Sequence, residues 1–264
     1  QNQITRHEEN SVISINEDNC YVLDLNIPHP QFVYTKPFGS VFIAPGDTLE
    51  MFSTIESAPD GSGPRFKTFR GNSESAMINT LLPEFMKKYG RKEYEYAEAQ
   101  ATIGKGKDAT QEVLEHWANQ VNEIIADEEF HQALIQSPLS TFGKDLVMIS
   151  ILTNKCIEIE DVVSDYTYKA NTYTQMEDGN WKKEPNPDYA ALDLKAVYNT
   201  LMKNKELIYD NPLALCESNQ WIFVNRTLYG PLFLSWEEYK DEDGVAHRRR
   251  CDKYAMAGTF MNDL

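Results

Sequence analysis

The hydrophobic period of this chain changes once, near residue 72, and that change limits the folds open to it. Before it the pattern alternates, with Leu49, Met51, Ser53 and Ile55 on one face and Thr48, Glu50, Phe52 and Thr54 on the other. That is the period of half-buried strands. After Ser73 the apolar residues fall three and four apart, as on an amphipathic helix. The junction reads Val41-Phe-Ile-Ala-Pro-Gly-Asp-Thr-Leu-Glu-Met51, then Phe69-Arg-Gly-Asn-Ser-Glu-Ser-Ala-Met-Ile-Asn79. Pro45 presets φ for a turn, Gly46 can take the positive φ of a type II turn, and Asp47 can bond back to nearby backbone. Pro45, Gly46 and Asp47 are therefore expected to form the structural turn of a β-hairpin. The fold class that follows is α+β. A small antiparallel sheet or half-sandwich over 1–71 precedes a mostly α-helical domain over 72–264, which carries a polar, aromatic insertion at about 158–187.

Within that frame the spacing predicts strands over 11–15, 20–27, 31–36, 40–44 and 65–70. Asn72 or Ser73 can cap a first helix bearing Met77, Ile78, Leu81 and Phe85, which Pro83 should kink or split. Asp108 reads as the N-cap of the clearest helix and Gln111 as its capping-box partner. There Leu114, Trp117, Ala118, Val121, Ile124 and Ile125 make one apolar stripe. A further helix is expected from Ser137-Pro138 through Ile151. Another, capped by Asp188, runs through Leu201, and a last helical region runs from Asn211-Pro212 to Leu234. Asp178-Gly179 favours a tight hairpin turn.

At 264 residues and 41% hydrophobic content the chain can bury real cores. Its net charge of −16 argues against nucleic acid and against docking on anionic lipid. The basic run His247-Arg-Arg-Arg250 follows Asp241-Glu-Asp243 and reads as a local charge pair. No apolar run approaches the roughly 20 residues of a membrane span.

Motifs for chemistry are sparse. No Gly-x-Ser-x-Gly elbow occurs, and Gly104-Lys-Gly-Lys107 lacks the spacing of a phosphate loop. Glu128 and His131 form a single i, i+3 pair where a di-iron bundle needs two. The cysteines Cys20, Cys156, Cys216 and Cys251 include no Cys-x-x-Cys and no zinc-like spacing. In an oxidising compartment Cys216–Cys251 is the expected disulfide, with buried free thiols as the alternative. No catalytic, metal or cofactor-binding residue is read, and no cofactor. Tyr168, Tyr173 and Trp181, in the aromatic stretch 166–187, are candidate contacts to a peptide or glycan.

The wording of the β region resembles the N-terminal region that precedes the thioredoxin fold in TlpA-like, AhpC/TSA-family thiol–disulfide oxidoreductases. Ile27-Pro28, Gln31-Phe-Val-Tyr34, Val41 to Leu49, Phe69-Arg-Gly-Asn72 and Ala76-Met-Ile-Asn79 carry the likeness, and Asp252 to Phe260 does so more loosely. The family's catalytic Trp-Cys-x-x-Cys is not among these residues. The resemblance thus implies a non-catalytic accessory region, exported to the periplasm or cell envelope, whose partner is a protein: a redox module in cis or a client. The other expectation is a free-standing cell-envelope binding protein that uses the 166–187 loop.

Overall fold

The computed structural model describes residues 17, 22–35, 38–53, 67–90, 93–217 and 219–252. The fold class is α+β, with small antiparallel ribbons and a larger helical part. The chain divides into two compact units. One takes Gln1–Tyr89, Glu129–Ser150 and Pro212–Trp221, the other Gly90–Glu128, Ile151–Asn211 and Ile222–Leu264.

In the first unit, β1 (Gln31–Thr35) pairs antiparallel with β2 (Gly39–Ile43), and β3 (Glu50–Ser53) with β4 (Lys67–Arg70). The Pro-Gly-Asp turn is present. Asp47 N donates to Ala44 O at 3.2 Å, and Gly46 has φ +82, the left-handed value that a type II turn requires at this place. It does not close a hairpin, because β2 and β3 belong to different ribbons. Its work is done at a distance. Asp47 Oδ2 accepts from Ser75 N at 2.9 Å and Ser75 Oγ at 2.6 Å, at the start of α1 (Glu74–Tyr89). Ser75 Oγ in turn accepts from Ala44 N at 2.8 Å, and Ser73 Oγ donates to Thr48 O at 3.3 Å. The two stretches that stand out together in the sequence are thus bonded to each other. A carboxylate at a helix N-terminus satisfies orphan amides and meets the positive end of the dipole. Asp47→Ala should cost about 1–2 kcal/mol, within the range of lost N-caps, and a thermal melt followed by circular dichroism measures it.

Ser73 caps α1, its Oγ accepting from Ala76 N at 3.2 Å. The helix runs through Pro83 without the split that was one of the two expected outcomes, with the proline ring on the exposed side. The alternating stretch 20–27 is not a strand over its described part. Residues 22–27 pair with nothing described, and Val22 is 87% exposed. Alternation supplies a face, but a strand also needs a partner edge. The expected strand 11–15 and the loosely similar 253–260 lie outside the described residues. The unit's core gathers Phe42, Ile78, Phe130 and Leu146, with Phe130 packed on the rings of Phe85 and Tyr89. Phe130 comes from α4 (Glu128–Gln136).

The second unit contains α2 (Glu93–Ile103) and α3 (Lys107–Ala126). It also holds α5 (Thr141–Lys169) from Ile151 onward, β5 (Asn171–Gln175), β6 (Trp181–Pro185), α6 (Lys195–Lys203), α7 (Lys205–Ile208) and α8 (Gln220–Tyr229) from Ile222. Leu114, Trp117, Ala118 and Val121 are buried along α3, as the stripe predicts. Its N-cap is Gly106, whose φ of +96 suits glycine, so Asp108 sits in the first turn. Gln111 leaves the capping box and bonds both main-chain groups of Asp193 instead, at 2.7 and 3.0 Å. Two helix starts lie later than expected. Ser140 caps α5 through Gly143 N at 3.1 Å, and Asp193 Oδ1 accepts from Lys195 N at 3.1 Å where Asp188 was expected to begin α6. The 158–187 stretch is two elements, since α5 runs to Lys169 and the β5–β6 ribbon follows. That ribbon turns at Asp178-Gly179, with Gly179 at φ +83.

A fourth ribbon, β7 (Leu234–Lys240) with β8 (Ala246–Asp252), was not foreseen. Its register sets Glu237 opposite Arg249 and Glu238 opposite Arg248. Asp241 Oδ2 and His247 Nε2 lie 2.6 Å apart, and that bond holds the Asp241 carboxyl below its usual range. Of the acidic run Asp241-Glu-Asp243, which lies in the turn between the strands, Asp241 pairs with His247 of the basic run.

Candidate functional site

From Ile151 to Tyr166, α5 reads Ile-Leu-Thr-Asn-Lys-Cys-Ile-Glu-Ile-Glu-Asp-Val-Val-Ser-Asp-Tyr. From Ile151 to Glu160 this helix is buried on every side, apart from the half-buried Asn154. Its charged residues are then carried inside: Lys155, Glu158 and Glu160 are 4%, 3% and 1% exposed. Charges so placed must be paired or neutralised. This helix shows both solutions.

Lys155 Nζ lies 3.3 Å from Glu158 Oε2, one turn along the same helix, and 5.1 Å from the centroid of the Trp117 ring on α3. The ring's negative face and the carboxylate together replace the ammonium's water.

Glu160 is held differently. Its Oε1 accepts from the Tyr209 hydroxyl at 3.2 Å and from Thr227 Oγ1 of α8 at 3.4 Å. Its Oε2 has no hydrogen-bond partner among the described residues. The nearby cation, Arg226, is bonded to Asp161. Burial, the largest cause, raises the Glu160 carboxyl well above the ordinary value of 4.5 against the two hydroxyl bonds. Magnitudes decide its state. One uncommitted O–H inside costs about 1–3 kcal/mol, whereas a buried unpaired charge costs several more. Burial thus favours the neutral acid over the carboxylate.

Cys156, one helical turn before Glu160, bonds Tyr209, and its thiol is raised by burial first and by the Glu160 carboxyl second. The Tyr209 phenol is raised by the same burial, with its ring stacked on Phe223 at 5.3 Å and edge-on to Phe233 at 5.3 Å. The cluster is a proton-holding network of Cys156, Tyr209, Glu160 and Thr227. Thiolate is the attacking form of cysteine, so a thiol held up in this way is a poor nucleophile.

No protein-family model, curated protein or solved structure matches this chain.

Of the residues singled out in the sequence, Tyr168 and Tyr173 are brought together. Tyr168, in the last turn of α5, is 67% exposed, and Tyr173, in β5, is 40% exposed. Their rings stack with centroids 5.3 Å apart and planes 17° apart. Trp181 stands in β6 opposite Gln175, and Lys183 opposite Tyr173. Cys216 is a half-buried free thiol closing a short 3-10 helix, Pro212–Cys216, so the expected Cys216–Cys251 bond is not made. Burial, which raises that thiol, accounts for Cys216 without a partner. Cys251 stands in β8 opposite Ser235, and Cys20 lies outside the described residues. His116 Nε2 lies 3.2 Å from Gln120 Nε2, and the His131 ring lies against Phe130. No group of three metal-ligating side chains occurs among the described residues, and no helix there is long and apolar enough to cross a membrane. The charged cluster of α5 was missed. Its signal was the interleaving of charge with Cys and Ile in the run Lys155-Cys-Ile-Glu-Ile-Glu160.

Proposed function

We propose that this chain is a non-catalytic recognition region of an exported, thioredoxin-like disulfide oxidoreductase. It meets a protein partner, a redox module in cis or a client, through the Tyr168–Tyr173 face of the β5–β6 ribbon. The observation that carries the reading is that stacked, solvent-facing tyrosine pair. Large aromatic rings left exposed but mutually braced offer contact area at small entropic cost, which is why tyrosine is favoured at interfaces. The likeness of residues 27–28, 31–34, 41–49, 69–72 and 76–79 to the accessory region of that family supports the redox context. Burial holds the Cys156 and Cys216 thiols in the unreactive form, which suits a region that recognises and does not exchange disulfides. The same ring face favours one second reading, a cell-envelope protein that stacks its tyrosines on a sugar.

The intact chain should bind extended peptides on a mixed peptide and glycan array and should not turn over insulin disulfides. Tyr168→Ala with Tyr173→Ala should weaken the peptide signals by about tenfold, equivalent to about 1.4 kcal/mol, while the melting temperature holds. Peptide signals unchanged in the double variant, or insulin turnover, would overturn the proposal. Glycan signals lost in that variant would select the second reading.

A further inference from the structure

Glu160 joins three separate segments. It is a residue of α5, it accepts from Tyr209 just after α7, and it accepts from Thr227 on α8. The titratable and charged groups around it are Cys156, Glu158 and Asp161 on α5, Tyr209 after α7, and Arg226 on α8. Each cation there is already engaged, Arg226 with Asp161 and Lys155 with Glu158. An ionised Glu160 would find no countercharge of its own. It would also add a negative charge beside Asp161, and Tyr209 would have to keep its position between Phe223 and Phe233 next to that charge. Apart from the two hydroxyl bonds and Arg226, which favour the carboxylate, these surroundings favour the neutral acid.

We infer that Glu160 is a pH-operated clasp of the second unit: as a neutral acid it holds α5, the segment after α7 and α8 together, and on ionisation it releases them. The raised carboxyl supports the direction. A buried acid whose folded value lies above its unfolded one contributes its full share of stability below the unfolded value, and loses it as pH rises toward the folded value. The clasp is closed in mildly acidic surroundings and loosens toward alkaline ones. This inference does not depend on the partner-binding reading, because Tyr168 and Tyr173 take no part in it.

The test is guanidinium unfolding of the full chain between about pH 5 and about pH 9, together with amide exchange over α5 and α8. In the wild type the unfolding midpoint should fall as pH rises, and protection of those two helices should fall with it. In Glu160→Gln, which keeps the shape without the titration, both should stay level across the range. Parallel falls in the two proteins, or a level wild type, would overturn the clasp. Should Glu160→Gln not fold, infrared spectroscopy of the wild type decides. A protonated-carboxyl band that persists at neutral pH and fades with the falling midpoint upholds it, and no such band at neutral pH refutes it.

Discussion

Replacing Lys155 by alanine should cost the second unit about 3–5 kcal/mol of stability, the range for breaking a buried pair by removing one partner. The loss should appear as a lower denaturant midpoint, followed by tryptophan fluorescence. Lys155 and Glu158 side chains are each 4% exposed and their charged atoms lie 3.3 Å apart. Within the pair, attraction is offset by the water both ions gave up, so its net worth is small. Half a pair has no such balance. Alanine leaves the Glu158 carboxylate inside and strips the Trp117 face of its cation. The double variant Lys155→Met with Glu158→Leu should recover most of the loss, since both charges go and the methionine sulfur can still lie against the indole ring. Equal damage from the single and the double variant would show that the stems, not the charges, fill this part of the core.

The contrast between α3 and α5 shows what periodicity can read. On α3 the stripe from Leu114 to Val121 is legible because one face is apolar and the other polar, and those residues are buried. On α5, apolar and polar residues are mixed over Ile151–Ile159 and all but Asn154 are buried, so no stripe divides a core face from a solvent face. Lys155, Glu158 and Glu160 alternate with Cys156, Ile157 and Ile159 and lie near Thr153, Asn154 and Asp161, so the sequence pattern does not mark them as buried. Their placement follows from the surroundings, not from their spacing. Their partners could not be read at all, since Tyr209 is 49 residues from Glu160 and Thr227 is 67 residues away.

The ribbons divide along a similar line. β1 and β2 were legible as strands around Pro37-Phe-Gly39, whereas residues 22–27 alternate but pair with no strand among the described residues. β7 and β8 have hardly any apolar alternation, being built of Glu237-Glu-Tyr-Lys240 and His247-Arg-Arg-Arg250. Their register sets Glu237 opposite Arg249 and Glu238 opposite Arg248 across an Asp243-Gly244 turn, with Gly244 at φ +77. That turn pair was the available signal, and charge masked it.

Asn79→Ala should cost the first unit about 2–4 kcal/mol, although alanine is the better helix former by about half a kcal/mol. Asn79 is 7% exposed and acts as a short piece of strand on α1. Its Oδ1 accepts from Phe42 N at 2.8 Å, and its Nδ2 donates to Phe42 O and Ser75 O, both at 2.7 Å. Phe42 lies across from Phe32 in the ribbon, with the two rings 5.4 Å apart, and turns both of its main-chain groups toward α1. Without the amide, an N–H and a C=O of a fully buried residue are left unpaired, and each such group carries a desolvation penalty of about 1–3 kcal/mol. Asn79→Asp should be no better, because it restores the acceptor, removes the donor and buries a charge. The diagnostic readout is amide exchange at Phe42. It should speed up by about thirtyfold or more in Asn79→Ala, the equivalent of about 2 kcal/mol, and far less in Asp47→Ala, which acts one turn nearer the start of α1. If the Phe42 amide stays protected in Asn79→Ala, then β2 is held to α1 by the packing of Phe42 and Ile78, and the side-chain amide contributes only alignment.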